Sequence, residues 1–311
     1  MEVPKKILIL CGGRFAFKAL QLLAYEKYVC GVGIGKANER LADALERECE
    51  DNNIAFQSFT NKKSLSNMKD WIEAIEPDYI FSMSFPFLLS EEILFYGPEK
   101  FINFHPGPLP QYRGVMPIFE VLKNQEPQTA ISVHYMNSKF DEGDLIYSDP
   151  VSIDSKDTYG TLTVKLSNRL AQVALNTANM LQFANKIPSI PQDRSKAYYY
   201  EKPDLSDTYI NWKRMGSDEI IALINACNPW NVGADFSFKG EQAKIVTAKI
   251  LKEPHNNTLP GTILSTCENG TINVACCDNN QISIEILKTD SGIMTSKQFT
   301  ASQPVVGLVL N

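Results

Sequence analysis

FINFHPGPLPQYRG, residues Phe101 to Gly114, decides the fold and the chemistry of this chain when taken with FDEGD, residues Phe140 to Asp144. Phe101, Ile102 and Phe104 suit a buried pleated surface. Asn103 and His105 alternate with them, so the stretch begins as a strand with both polar side chains pointing the same way. Pro106, Gly107, Pro108 and Pro110 cannot continue a ladder, and the strand ends where that pair emerges. In open α/β sheets the carboxyl ends of the strands are where ligands bind. Taken alone, the pair leaves open an ordinary strand end with a capping Asn and a structural His.

At 311 residues the chain has room for two domains, each with its own core. Its 44% hydrophobic and 21% charged content is that of a soluble globular protein. No apolar run approaches the roughly 20 residues that span a bilayer, so no membrane partner is expected. MEVPKKILILCGG at the start mimics a secretion signal, but ILIL is too short and reads as a first buried strand. Cys11, Cys30, Cys49, Cys227, Cys267, Cys276 and Cys277 are odd in number and lack a CxxC spacing. Free thiols in a reducing cytoplasm fit that pattern better than disulfides or a zinc site. Net charge is −6, with 19 basic against 23 acidic residues up to Lys186 and 11 against 13 after it, so neither half is basic. No dense cluster of Lys and Arg appears, which weakens a nucleic-acid partner without excluding a local patch.

KKILILCGG reads as a strand running into a glycine turn, without the GxGxxG fingerprint of dinucleotide sites. The helix FAFKALQLLAYEK, the strand YVCGVGIG, the charged helix KANERLADALERECEDNN, the strand AFQSF and the helix KKSLSNMKDWIEAIE follow in turn. This alternation predicts an α/β fold with a Rossmann-like, mostly parallel sheet. PDYIFSMSFPFLLSEEILF, from Pro77 to Phe95, adds a strand, a loop over Ser84–Leu89 and a short helix capped by Ser90. That apolar loop is either a lining for a flat ring or a buried turn. After the central stretch come the helix MPIFEVLKNQ and the strand ISVHYMN, in which His134 lies mid-strand and reads as structural or surface. FDEGD leads into the strand LIYSDPVSI, and a long helix over Thr158–Lys186 closes the first domain, 1–186. Residues 187–207 carry three prolines and no period, as a linker would. Residues 208–311 hold one helix, then short strands with turns at Lys239-Gly240, Asn269-Gly270 and Asp278-Asn279-Asn280. They predict a smaller, mainly β, OB-like domain.

If Asp141 lies across from Asn103 and His105, the three supply an acyl-transfer site. Asn can donate to an oxygen that becomes negative, neutral His can take and return a proton, and a carboxylate can hold the imidazole and its charged form. No serine or cysteine nucleophile stands in a recognisable setting, and no metal site is expected because a second suitably placed histidine is lacking. FDEGD by itself is equally an acidic turn.

INFHPGPLPQYRG followed about forty residues later by FDEGD resembles the Asn-x-His…Asp constellation of the 10-formyltetrahydrofolate-dependent formyltransferases. PDYIFSMSFPFLLSEEIL is similar to that family's strand and folate loop. YINWKRMGSDEIIALINACNPW resembles the start of a C-terminal domain shared by methionyl-tRNA formyltransferases and some sugar-modifying relatives. The resemblance implies transfer of a formyl group from 10-formyltetrahydrofolate to a primary amine. Asn103 would polarise the formyl oxygen, His105 would act as general base, and Asp141 would orient His105 or a bridging water. It places the pterin between the loop of Ser84, Phe85, Phe87, Leu88 and Leu89 and the turn of Lys139, Phe140, Glu142 and Gly143. Gly107, Leu109, Tyr112, Arg113 and Gly114 would shape the acceptor side, where Arg113 meets a phosphate or carboxylate, or instead faces solvent.

Three departures bear on the acceptor. GIGKANERLADALERE goes almost directly into a helix where tRNA enzymes carry a long basic loop, the second half is slightly acidic, and HPGPLP stands where those enzymes commonly read HGSLLP or HPSLLP. All three disfavour tRNA without removing it. They favour a small-molecule amine, with a nucleotide-linked amino sugar as first choice. The alternatives are a methionyl-tRNA formyltransferase, a formyltetrahydrofolate hydrolase and a non-catalytic folate-binding protein. Oligomeric state is not readable from this sequence.

Overall fold

The computed structural model describes residues 3–36, 39–94, 96–267, 270–301 and 304–311. The chain forms two compact units, one of Met1–Pro117, Gln128–Ser152 and Thr163–Tyr200, the other of Ile118–Pro127, Ile153–Leu162 and Glu201–Asn311. Up to Tyr200 the strands are β1 (Ile7–Cys11), β2 (Val29–Gly35), β3 (Ala55–Phe59), β4 (Tyr79–Met83), β5 (Phe101–His105), β6 (Arg113–Gly114), β7 (Gln128–Tyr135), β8 (Leu145–Ser152) and β9 (Tyr199–Tyr200). The helices between them are α1 (Phe17–Tyr25), α2 (Glu39–Asp51), α3 (Met68–Ile75), α4 (Glu91–Leu94), α5 (Pro117–Lys123) and α6 (Tyr159–Phe183).

Seven strands of the first unit form one sheet in the order β3-β2-β1-β4-β5-β7-β8. The first five are parallel, and β7 and β8 are added antiparallel. This is the Rossmann-like, mostly parallel sheet that the strand–helix alternation predicts. ILILC of β1 and YIFSM of β4 are buried at every position, as central strands covered on both faces must be. Strand order reverses between β1 and β4, and the carboxyl ends of β4 and β5 open beside that point. The rings of Phe81 on β4 and Phe104 on β5 sit 4.9 Å apart and are fully buried.

Local chemistry changes some expected elements. The helix expected over KKSLSNMKDWIEAIE begins as a 3-10 segment, Lys62–Asn67. There Asn61 and Ser64 exchange side-chain-to-backbone hydrogen bonds of 3.1 and 3.2 Å, a capping box that starts the tighter turn. Residues 187–200 pack as part of the first unit. Ile190 and Leu145 exchange backbone hydrogen bonds of 2.8 and 2.9 Å, and β9 pairs parallel with β6. Ala37, Asn38 and Phe95 of the expected elements lie outside the described residues.

The second unit holds α7 (Leu205–Thr208), α8 (Ser217–Ala226) and α9 (Ser296–Ala301) with β10 (Ala234–Phe238), β11 (Glu241–Leu251), β12 (Ile263–Thr266), β13 (Ile272–Ala275), β14 (Gln281–Thr289) and β15 (Gly292–Thr295). These six strands make an antiparallel sheet in the order β10-β11-β14-β13-β12, with β15 also on β14. Lys239 and Gly240, at φ 52° and 85°, form the two-residue hairpin that Lys-Gly marks in the sequence. Asn269 of the next expected turn lies outside the described residues.

Phe81→Ala would leave a cavity between the two strands that carry the site. Chemical denaturation is expected to register a loss of about 3–5 kcal/mol. A loss within experimental error would show that this ring pair does not hold β4 to β5.

Candidate functional site

Alternation along β5 turns Asn103 and His105 the same way, and the antiparallel register sets His134 of β7 directly beside Asn103. The turn after β7 then returns Asp141 to the pair. Asp141 adopts φ 56°, a left-handed conformation that costs a non-glycine residue roughly 1–3 kcal/mol and is tolerated best by Asp and Asn. A Cβ added at Gly143 would come within 1.8 Å of the Tyr135 carbonyl oxygen, so only glycine lets the turn close this tightly.

Each hydrogen bond fixes a proton. His105 Nε2 lies 2.6 Å from the Tyr112 carbonyl oxygen, which can only accept, so Nε2 carries a hydrogen. Nδ1 of the same ring lies 3.4 Å from Asp141 Oδ1. His134 Nδ1 donates to the Tyr135 carbonyl at 2.7 Å, which leaves Nε2 to accept from Asn103 Nδ2 at 3.0 Å. Asn103 Nδ2 is also 3.5 Å from Asp141 Oδ1, and the Gly114 N–H donates to Asp141 Oδ2 at 3.0 Å. With both ring nitrogens facing acceptors, His105 is arranged to carry a positive charge against the Asp141 carboxylate.

The electrostatics agree with that arrangement. Burial works against the imidazolium of His105, but the charge of Asp141, its hydrogen bond and the Tyr112 carbonyl outweigh burial and raise the His105 pKa. Burial likewise works against the Asp141 carboxylate, and the charge and hydrogen bond of His105 outweigh it and hold the group well below the ordinary carboxylate range.

A cavity of about 270 Å³ opens on this group. Ser84, Phe85, Phe87, Leu88, Asn103, His105, Gly114, Lys139, Phe140 and Asp141 line it. The second unit has a larger groove of about 890 Å³ around Trp212 and Leu310, but its lining gathers no acid–base constellation like that of the smaller cavity.

The chain matches the family described as formyl transferase over residues 16–177 and formyl transferase, C-terminal domain, over residues 204–304. It belongs to that family. The formyltransferase is 35% identical over 225 residues to a protein of Blochmanniella floridana named methionyl-tRNA formyltransferase, covering 71% of this chain and 68% of that one. A protein of the same name from Acetivibrio thermocellus is 26% identical over 307 residues, 96% of this chain and 97% of the other. Among solved structures, the N-formyltransferase from Helicobacter canadensis, in complex with folinic acid and dTDP-3-aminofucose, superposes with a TM-score of 0.68 at 18% identity over 90% of this chain and 98% of that one. At that identity the likeness is one of fold.

Not every residue expected at the site lines the cavity. Leu89 is buried beside it in the core. Leu109 donates its N–H to Ser132 Oγ at 3.1 Å, and Tyr112 stacks on Tyr200 with ring centroids 5.4 Å apart. A Cβ at Gly107 would crowd Pro117 at 2.7 Å and His105 Nε2 at 3.1 Å, so Gly107 serves by leaving room. Arg113 is buried, and its guanidinium is engaged by Gln192, at 2.7 and 3.1 Å, and by Glu142 at 3.6 Å, rather than facing solvent. Glu142 also meets Lys139 at 3.6 Å, and the Gly143 carbonyl accepts from Gln192. His134, read from the sequence as structural or surface, is 2% exposed and lines the cavity with Val115, Met136 and Tyr199. The pattern of ISVHYMN marks its strand, and its place at the site comes from the antiparallel register opposite Asn103.

Asp141→Asn removes the charge that most favours the imidazolium and leaves burial opposing it. The His105 pKa, followed by NMR of the ring protons, is expected above the ordinary value of about 6.5 in the native protein and lower in the variant. An unchanged titration would show that the two groups are not electrostatically paired.

Proposed function

We propose that this formyltransferase moves the formyl group of 10-formyltetrahydrofolate onto the primary amine of a small molecule, a nucleotide-linked amino sugar being the first choice. The observation that carries this is the convergence of an amide N–H, a titratable imidazole and a partly buried carboxylate on a cavity whose other wall is aromatic. Phe85, Phe87 and Leu88 suit the flat face of a pterin, and the polar group beside them suits the reacting carbon. The folate supplies the formyl group on a nitrogen that can leave.

The residues then divide the work. One hydrogen of Asn103 Nδ2 is given to His134, and the other faces Asp141 Oδ1 at 3.5 Å, a long contact that the oxygen gaining negative charge during attack would take over. His105 takes the proton that the attacking amine releases. Because Nε2 stays committed to the Tyr112 carbonyl, Nδ1 is the nitrogen that changes protonation. Asp141 stabilises the proton there, and His105 returns it to the departing nitrogen, so the residues end as they began. A raised His105 pKa makes this a stronger base, provided it is neutral when the amine arrives.

For the acceptor, the acidic chain, with a net charge of −6, suits a small amine better than a polyanionic tRNA. The Helicobacter protein's complex with a nucleotide-linked amino sugar supports the same choice. A second reading, methionyl-tRNA formylation, is favoured by the names of the sequence relatives, one of which aligns over nearly the whole chain.

His105→Ala and Asp141→Ala are each expected to lower turnover at least about a hundredfold, with unchanged circular dichroism; full activity in both would refute the site. A panel of nucleotide-linked amino sugars and charged initiator tRNA, incubated with the formyl donor and read by mass spectrometry, decides the acceptor. Formylation of a sugar amine is expected. Formylation of the tRNA alone, with a steep salt dependence, would establish the second reading, and formate release without any formylated amine would indicate a hydrolase.

A further inference from the structure

We infer that Gln192 is a positioning residue for the reaction, holding the backbone of the turn that carries Asp141. The inference rests on the function proposed above for Asp141. Gln192 belongs to the IPSIPQ segment, which the sequence marks only as proline-rich and aperiodic. Its side chain nevertheless makes four polar contacts inside the first unit. Oε1 accepts from Arg113 Nη2 at 2.7 Å and from Nε at 3.1 Å, while Nε2 donates to the Asp141 carbonyl at 2.9 Å and the Gly143 carbonyl at 2.7 Å.

Chemistry fixes which end of the amide points where. A guanidinium has only donors and a carbonyl only accepts, so the oxygen must face Arg113 and the nitrogen must face the turn. Arg113 is itself held by Glu142, the residue between the two carbonyls that Gln192 grips. One side chain therefore grips both sides of Glu142, at the point where Asp141 takes its left-handed conformation. The segment on which Gln192 rides is anchored on either side, by Ile190 paired with Leu145 and by Tyr199 paired with Arg113. Loosening this grip would let Asp141 relax away from His105 Nδ1, which is already 3.4 Å distant.

The charged and titratable groups around Asp141 are His105 from β5, His134 from β7, and the neighbouring Glu142 with its partners Arg113 and Lys139. Gln192 carries no charge. Its removal can alter the His105 titration only by moving one of them.

Two variants test the inference. Gln192→Met keeps length and loses all four contacts. Gln192→Glu keeps an oxygen for Arg113 but sets a second against the two carbonyls. Both are expected to lower kcat about a hundredfold, the scale of a misplaced catalytic group, with KM for 10-formyltetrahydrofolate little changed. Both should also lower the His105 pKa measured by NMR. Native kcat, or a lower kcat with an unchanged His105 titration, would overturn the inference, as would failure of both variants to fold, since Gln192 would then serve the fold and not the site. If Asp141→Asn turns over at the native rate, the role proposed for Asp141 fails instead, while the His105 titration in the Gln192 variants still reports whether the grip exists.

Discussion

A buried imidazole pressed between a backbone carbonyl and a carboxylate is the constraint on which the rest of this site depends. His105 satisfies both neighbours only when it is protonated, and its positive charge favours the Asp141 carboxylate against the cost of burial. The pair is stable together and unstable apart. Breaking it by removing one partner would strand the other, so the surrounding structure is committed to keeping a strained aspartate in place. The Gly114 N–H, the clearance at Gly143 and the grip of Gln192 all bear on that one residue.

The sheet supplies the other half of the arrangement. A purely parallel sheet would bring only strand ends to the site. Adding β7 antiparallel to β5 instead brings the middle of a strand, His134, opposite Asn103, where it takes one amide hydrogen and sets the other. Asn103 is thereby oriented before any substrate arrives, as the oxyanion donor proposed for it requires.

Much of this was legible in the sequence, for a physical reason: it was local. The alternation in FINFH, the proline stop after it and the strand–helix rhythm are short-range patterns, and they gave the sheet, the strand end and the Asn103–His105 pair. Asp141 was legible only as an acidic turn until resemblance joined it to that pair across some forty residues. His134, Arg113 and Gln192 were less legible because their roles are set by register and by long-range pairing. An antiparallel neighbour looks like any other strand, and a loop arginine facing a phosphate looks like one buried against a glutamine. The same limit applies to the segment 187–200, whose prolines hide its pairing with the first unit.

The pH dependence of kcat/KM for formyl transfer in the native enzyme and in Asp141→Asn, with one amine acceptor throughout, tests the pairing of His105 with Asp141 most directly. If His105 is the base, the rate rises with pH through an ionisation above about 6.5, the ordinary histidine value, and this limb moves to lower pH in the variant by the same interval as the His105 titration. Ionisation of the amine itself would stay where it was in both proteins. A limb that does not move when Asp141 loses its charge would contradict the claim that His105, poised by Asp141, is the base.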